Sequence, residues 1–125
     1  MKTALVIEDN ANNMELITFI LERHGFQTHR ATQGMDGVES FMTTTPDLVL
    51  LDIQLPDIDG IEVLRILRSL EGTPNTPIIA VSSYALSGEH RRLIEAGCSG
   101  YIEKPIDPST FMGKINGVVN NLATT

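Results

Sequence analysis

Five short apolar runs, at residues 3–8, 26–30, 47–52, 77–82 and 100–103, alternate strictly with segments long enough to be helices. A chain built this way has few ways to fold. Successive parallel strands need long crossovers, the crossovers are right-handed, and alternating strands and helices wind into one sheet covered on both faces. Runs one, three and four are almost continuously apolar (Leu5-Val6-Ile7, Leu48-Val49-Leu50-Leu51, Ile78-Ile79-Ala80-Val81), as suits central strands buried on both faces. Run two is mixed (Gln27, Thr28, His29, Arg30) and run five is brief, so both fit sheet edges. The expected fold is α/β, a doubly wound five-stranded parallel sheet in the order 2-1-3-4-5 with five helices.

The intervening segments carry helical spacing. Leu16, Ile17, Ile20 and Leu21 mark the first helix, Val38, Phe41 and Met42 the second, and Ile61, Leu64 and Leu67 the third. The fourth, at 87–96, has only Leu93 and Ile94, which suits a marginally packed, mobile element. The fifth is expected from Asp107, with Asp107 as cap, Pro108 in the first turn, and Phe111, Ile115, Val118, Val119 and Leu122 along one face. Gly25 and Gly97 stand where helices one and four should stop, and 72–75 reads as the one longer loop. One domain over residues 1–125 is expected, with no repeat, linker or low-complexity tract.

In such a sheet, strands one and three are neighbours, and ligands bind beyond their carboxyl ends where the winding reverses. Glu8-Asp9 closes the first apolar run and Asp52 the third, so three carboxylates should meet there. Close carboxylates raise one another's pKa values unless a cation neutralises them, and hard oxygen ligands suit Mg²⁺. Ser82 closes the fourth run and Lys104 follows the fifth, which adds a hydroxyl and an ammonium at the same edge. Pro105 restricts Lys104 to extended backbone, and we expect the Lys104–Pro105 bond to be cis, in a tight turn that aims the ammonium into the pocket. A divalent-metal site that handles phosphoryl groups is the first reading.

The 125 residues are 42% hydrophobic and 20% charged, enough for one buried core. A net charge of −7 with only nine Lys and Arg argues against nucleic acid as a direct partner. No apolar stretch reaches the roughly 18 residues of a membrane span, and no secretory leader opens the chain, so a cytoplasmic protein without membrane contact is expected. Cys98 is alone and reads as a small buried thiol. His24, His29 and His90 lack ligand spacing and read as solvated surface residues.

Taken together, Glu8-Asp9-Asn10, Asp52 with Leu55-Pro56 and Gly60 downstream, Ser82, and Lys104-Pro105 resemble the CheY-like receiver domain of two-component response regulators over nearly the whole chain. That family has the flavodoxin-like version of the sheet described above. Within it the chain looks closest to stand-alone regulators of the DivK type, through Asn13-Met14, Asp52-Ile53-Gln54-Leu55-Pro56, Gly97-Cys98 and Tyr101-Ile102-Glu103-Lys104-Pro105-Ile106. The resemblance implies that Asp52 accepts a phosphoryl group from a phosphohistidine of a sensor kinase or phosphotransfer protein. It also implies that Asp9, Asp52 and the backbone carbonyl of Gln54 bind Mg²⁺, with Glu8 acting mainly through a water. Lys104 and Ser82 would contact phosphoryl oxygens. Movement of Ser82 would let Tyr101 rotate inward and alter the surface of helix four, strand five and helix five for a downstream protein. Gln54 and Tyr84 would flank the path of a hydrolytic water. Glu8 and Ser82 replace the commoner Asp and Thr of the family, both conservatively.

A phosphatase of the haloacid dehalogenase type also uses a strand-end Asp, but needs a second Asp two positions on, where this chain has Gln54. A flavin-binding relative should offer a phosphate loop of Gly, Ser and Thr after Ile7, not Glu8-Asp9-Asn10. A receiver-like module that is never phosphorylated fits poorly with so full a set of groups. The expectation is therefore a switch protein and not a turnover enzyme, either monomeric or dimeric on phosphorylation. With no output domain after helix five, it either acts alone or belongs to a longer chain.

Overall fold

The computed structural model describes residues 2–70, 76–83 and 87–123. Its elements follow in the order β1 (Lys2–Ile7), α1 (Ala11–Arg23), β2 (Phe26–Ala31), α2 (Gly34–Thr44), β3 (Leu48–Asp52), α3 (Gly60–Leu70), β4 (Ile78–Ser82), α4 (Ser87–Ala96), β5 (Gly100–Glu103) and α5 (Phe111–Ala123). The strands form one sheet in the order β2-β1-β3-β4-β5, every neighbouring pair parallel, as expected from the alternation. The loop expected at 72–75, Tyr84 and the side chain of Leu122 lie outside the described residues.

Strand alternation sends successive side chains to opposite faces, which builds two cores. Leu5, Ile7, Val49, Leu51, Ile78 and Ala80 pack with Val38 and Phe41 of α2, Leu64 and Leu67 of α3, and Leu93 of α4. Ala4, Val6, Leu48, Leu50, Ile79 and Val81 pack on the other side with Met14, Ile17 and Leu21 of α1 and Phe111 and Ile115 of α5. Residues in β1, β3 and β4 are almost all buried, whereas β2 is largely half-exposed, as its mixed composition implies for an edge. Two apolar residues depart from the expected helix faces: Met42 and Ile94 are exposed. Leu93 is therefore the one fully buried side chain of α4 among the described residues.

The helix ends explain themselves locally in most places. Asn10 caps α1 by accepting from the Asn13 N–H at 2.9 Å, and Gly25 and Gly97 follow α1 and α4 with φ of +89° and +111°, conformations that favour glycine. Helix α5 corrects the expectation of a start at Asp107. The Asp107 carboxylate accepts from the Ser109 N–H and hydroxyl, which caps a separate turn over 108–110, and the helix begins at Phe111. Cys98 is buried, and that burial pushes its thiol up to about 11, as an inert core sulfur.

Candidate functional site

Strands β1 and β3 lie side by side with Ile7 opposite Leu51, so Glu8 and Asp52 come next at the same edge. The Glu8 N–H still donates to the Ala31 carbonyl of β2 at 2.9 Å, which holds this residue at the end of the sheet. Carboxylate oxygens of Glu8, Asp9 and Asp52 lie within 4.8 Å of one another, as the strand order requires. Glu8 and Asp52 are buried and Asp9 is exposed at the mouth.

Electrostatics at this edge is dominated by Glu8. Burial first, and then the adjacent Asp52 carboxylate, push its carboxyl up to about 7. The Asn10 N–H, donating to Oε2 at 3.1 Å, and the Lys104 ammonium work against that rise and do not cancel it. Lys104 Nζ stands 3.2 Å from Asp52 Oδ2 and 3.4 Å from Glu8 Oε1. One ammonium faces three carboxylates, so the pocket still favours a further cation. Glu8 Oε1 is buried and accepts no hydrogen bond among the described residues. A buried carboxylate oxygen that accepts no hydrogen bond, within a cluster of three carboxylates facing one ammonium, fits a hard divalent cation such as Mg²⁺.

The surrounding loops hold these groups in place. Gln54 N–H donates to Asp52 Oδ1 at 3.0 Å, and Gln54 Oε1 accepts from the Ser83 hydroxyl at 2.9 Å, which ties the loop after β3 to the loop after β4. Gly60 N–H donates to the Ile53 carbonyl at 3.0 Å, and a Cβ on Gly60 would lie 2.4 Å from Ile53 Cα. Only glycine allows this close return of the chain behind Asp52. Ser82 is buried at the end of β4, one position beyond the Val81 that pairs with Asp52. Its carbonyl accepts from the Lys104 N–H at 2.8 Å, and the Lys104–Pro105 bond is cis. All five groups expected at the edge, Glu8, Asp9, Asp52, Ser82 and Lys104, thus stand at neighbouring strand ends.

Tyr101 lies two positions before Glu103 on β5, opposite Ala80, and is 37% exposed. Its ring stacks on His90 of α4. Two histidines correct the expectation of three solvated ones: His29 on β2 is half-buried, and the side chain of His90 is only 18% exposed. A signal was present, since His90 lies three residues before Leu93 and so shares the inward face of α4. Asp57 was also missed. Its carboxylate accepts from the Gly34 and Met35 N–H groups at 2.7 and 3.0 Å, capping α2 from the loop after β3, and these bonds hold its pKa below the usual range.

The family pattern of the response regulator receiver domain matches residues 4–116. A polar-differentiation response regulator, DivK, of Brucella ovis is 35% identical over 120 residues, covering 96% of this chain and 98% of that protein. A CheY-like receiver domain protein of Methanospirillum hungatei has the same fold with a TM-score of 0.89 and 27% identity, over 99% of this chain and 98% of that one. The receiver domain of a Pseudomonas aeruginosa sensor histidine kinase superposes with a TM-score of 0.84 at 28% identity, over 95% of this chain and 98% of its own. That structure carries a magnesium ion coordinated in its active-site cleft.

Proposed function

The chain belongs to the response regulator receiver domain family of two-component signalling, and from that premise we propose that it takes a phosphoryl group onto Asp52 from a phosphohistidine. One Asp52 carboxylate oxygen attacks phosphorus, the bond from phosphorus to the donor's imidazole nitrogen breaks, and the imidazole leaves with that electron pair. The product is an acyl phosphate. The observation that carries this reading is the pairing of the Asp52 carboxylate with Lys104 Nζ at 3.2 Å inside a three-carboxylate cluster.

Glu8, Asp9, Asp52 and the Gln54 carbonyl would hold Mg²⁺, and the magnesium in the Pseudomonas receiver's cleft supports that assignment. The bound cation would offset the negative charge that otherwise keeps an anionic nucleophile from an anionic phosphoryl group. Lys104 supplies a point charge from the β5 side, placed between Asp52 and Glu8, where phosphoryl oxygens gather charge during transfer. Ser82 donates its hydroxyl to a phosphoryl oxygen from β4. That bond draws the end of β4 inward and makes room for Tyr101, so the α4, β5 and α5 surface differs between the two states.

Partners on this reading are a sensor histidine kinase or histidine phosphotransfer protein and a downstream protein that reads the surface; the chain is a monomer or a phosphorylation-dependent dimer. It is a switch, since Gln54 stands where a phosphatase would need a second Asp as general acid. No helix among the described residues is long and apolar enough to cross a membrane; a cytoplasmic location is part of the proposal. The test is incubation with a small-molecule phosphodonor and Mg²⁺, followed by intact mass. A single adduct that chelation prevents supports the reading; steady release of phosphate without an adduct overturns it in favour of a phosphatase.

A further inference from the structure

The imidazole of His90 lies over the Tyr101 ring with centroids 3.8 Å apart and planes 21° apart. The phosphoryl chemistry at the strand ends makes no use of this contact. Tyr101 and Glu103 alternate with Ile102, so both turn toward α4 while Ile102 enters the core beneath α1 and α5. His90 thus meets two residues of β5: the phenol ring, and Glu103 Oε1 at 3.7 Å from its Nε2. That separation is too long for a hydrogen bond, and Nε2 is buried with no hydrogen-bond partner among the described residues. Among the described residues, ring contact and not a polar bond therefore holds the imidazole. The charged residues around it pair along α4 itself, Arg91 with Glu95 and Arg92 with Glu89. Leu93, Ala96 and His90 fasten the helix inward among the described residues.

We propose that His90 is a positioning residue for the Tyr101 switch: its imidazole holds the phenol in the outward position, and so sets how strongly the resting protein resists activation. The inference rests on the function proposed above. A contact made in only one of two states weights the equilibrium toward that state, and Tyr101 leaves the stack when it rotates inward. A stacked aromatic pair shifts such an equilibrium by roughly two- to tenfold.

The chain has two tyrosines, so protein labelled with 3-fluorotyrosine gives two fluorine resonances, and Tyr101→Phe assigns one. Resting and beryllofluoride-saturated spectra with Mg²⁺ define the outward and inward positions. His90→Ala, and His90→Gln with no ring face, are expected to move the resting Tyr101 resonance toward the saturated position. They should also lower the beryllofluoride needed for half-saturation by roughly two- to tenfold. His90→Phe, which keeps the ring and loses the nitrogens, is expected to restore wild-type behaviour, which a merely structural role of the histidine would not predict. Wild-type protein that responds while all three variants match it overturns the inference alone, as does a Phe variant that behaves like Ala. Wild-type protein that ignores beryllofluoride overturns the phosphoacceptor reading, and the inference with it.

Discussion

The Lys104 ammonium stands 3.2 Å from Asp52 Oδ2, reaching from the turn after β5 across the end of β4 to the end of β3. Both side chains are largely buried, so solvent screens their attraction little. Lys104→Met keeps the aliphatic stem and removes the charge. It is expected to slow adduct formation at Asp52 by roughly 100-fold, the usual effect of deleting one donor to developing charge, while leaving the fold intact. Rates from phosphodonor incubations of the two proteins check this.

Glu8 gives a pH dependence whose sign is fixed by its raised pKa. A carboxyl at about 7 in the folded chain, against 4.5 as an ordinary glutamate, holds an extra proton between those values, so the Glu8 contribution to metal-free stability is fully present below the lower value and is lost as pH rises through 7. Mg²⁺ must displace that proton. Its affinity is therefore expected to be up to about tenfold weaker at each pH unit below 7, and to level off above it. Calorimetric Mg²⁺ titrations at several pH values measure the slope, and Glu8→Gln should flatten it.

Gly60 tests the packing that backs the site. A Cβ there meets Ile53 Cα at 2.4 Å, a backbone clash that no side-chain rotation relieves, whereas no atom of the described residues lies within 4 Å of a Cβ on Gly113 in α5. Gly60→Ala is expected to cost about 2 kcal/mol and to slow phosphorylation by displacing the loop after Asp52. Gly113→Ala should be neutral or stabilise by up to about 1 kcal/mol. Denaturant melts of both variants separate these outcomes.

The sheet order and the site were legible in the sequence for one reason: the apolar runs have sharp ends. In buried strands the last apolar residue marks the sheet edge, so Glu8, Asp52 and Ser82 declare their common height once the strand order is known. Part of what stayed hidden depends on partners distant in sequence, and part on local turns. Asp57 caps α2 from 23 residues away, and nothing near Gly34 announces it. His90 looked solvated because α4 is otherwise polar, and its partner Tyr101 comes from the next strand. The start of α5 shifted because Asp107 spends its carboxylate on Ser109 and closes a turn of its own. Helix α2 is closed by Thr45 with φ of 42°, a left-handed residue where composition offered no glycine as a signal.

As phosphoacceptor, Asp52 becomes an acyl phosphate. Borohydride reduces such a group to an alcohol and leaves free carboxylates untouched, so peptide mapping after phosphodonor, Mg²⁺ and borohydride locates it directly. A homoserine is expected at position 52 in the treated protein, and none when Mg²⁺ is chelated or in Asp52→Asn. Reduction at Glu8 or Asp9 instead, or an unchanged Asp52 in protein that carries the adduct, would contradict it.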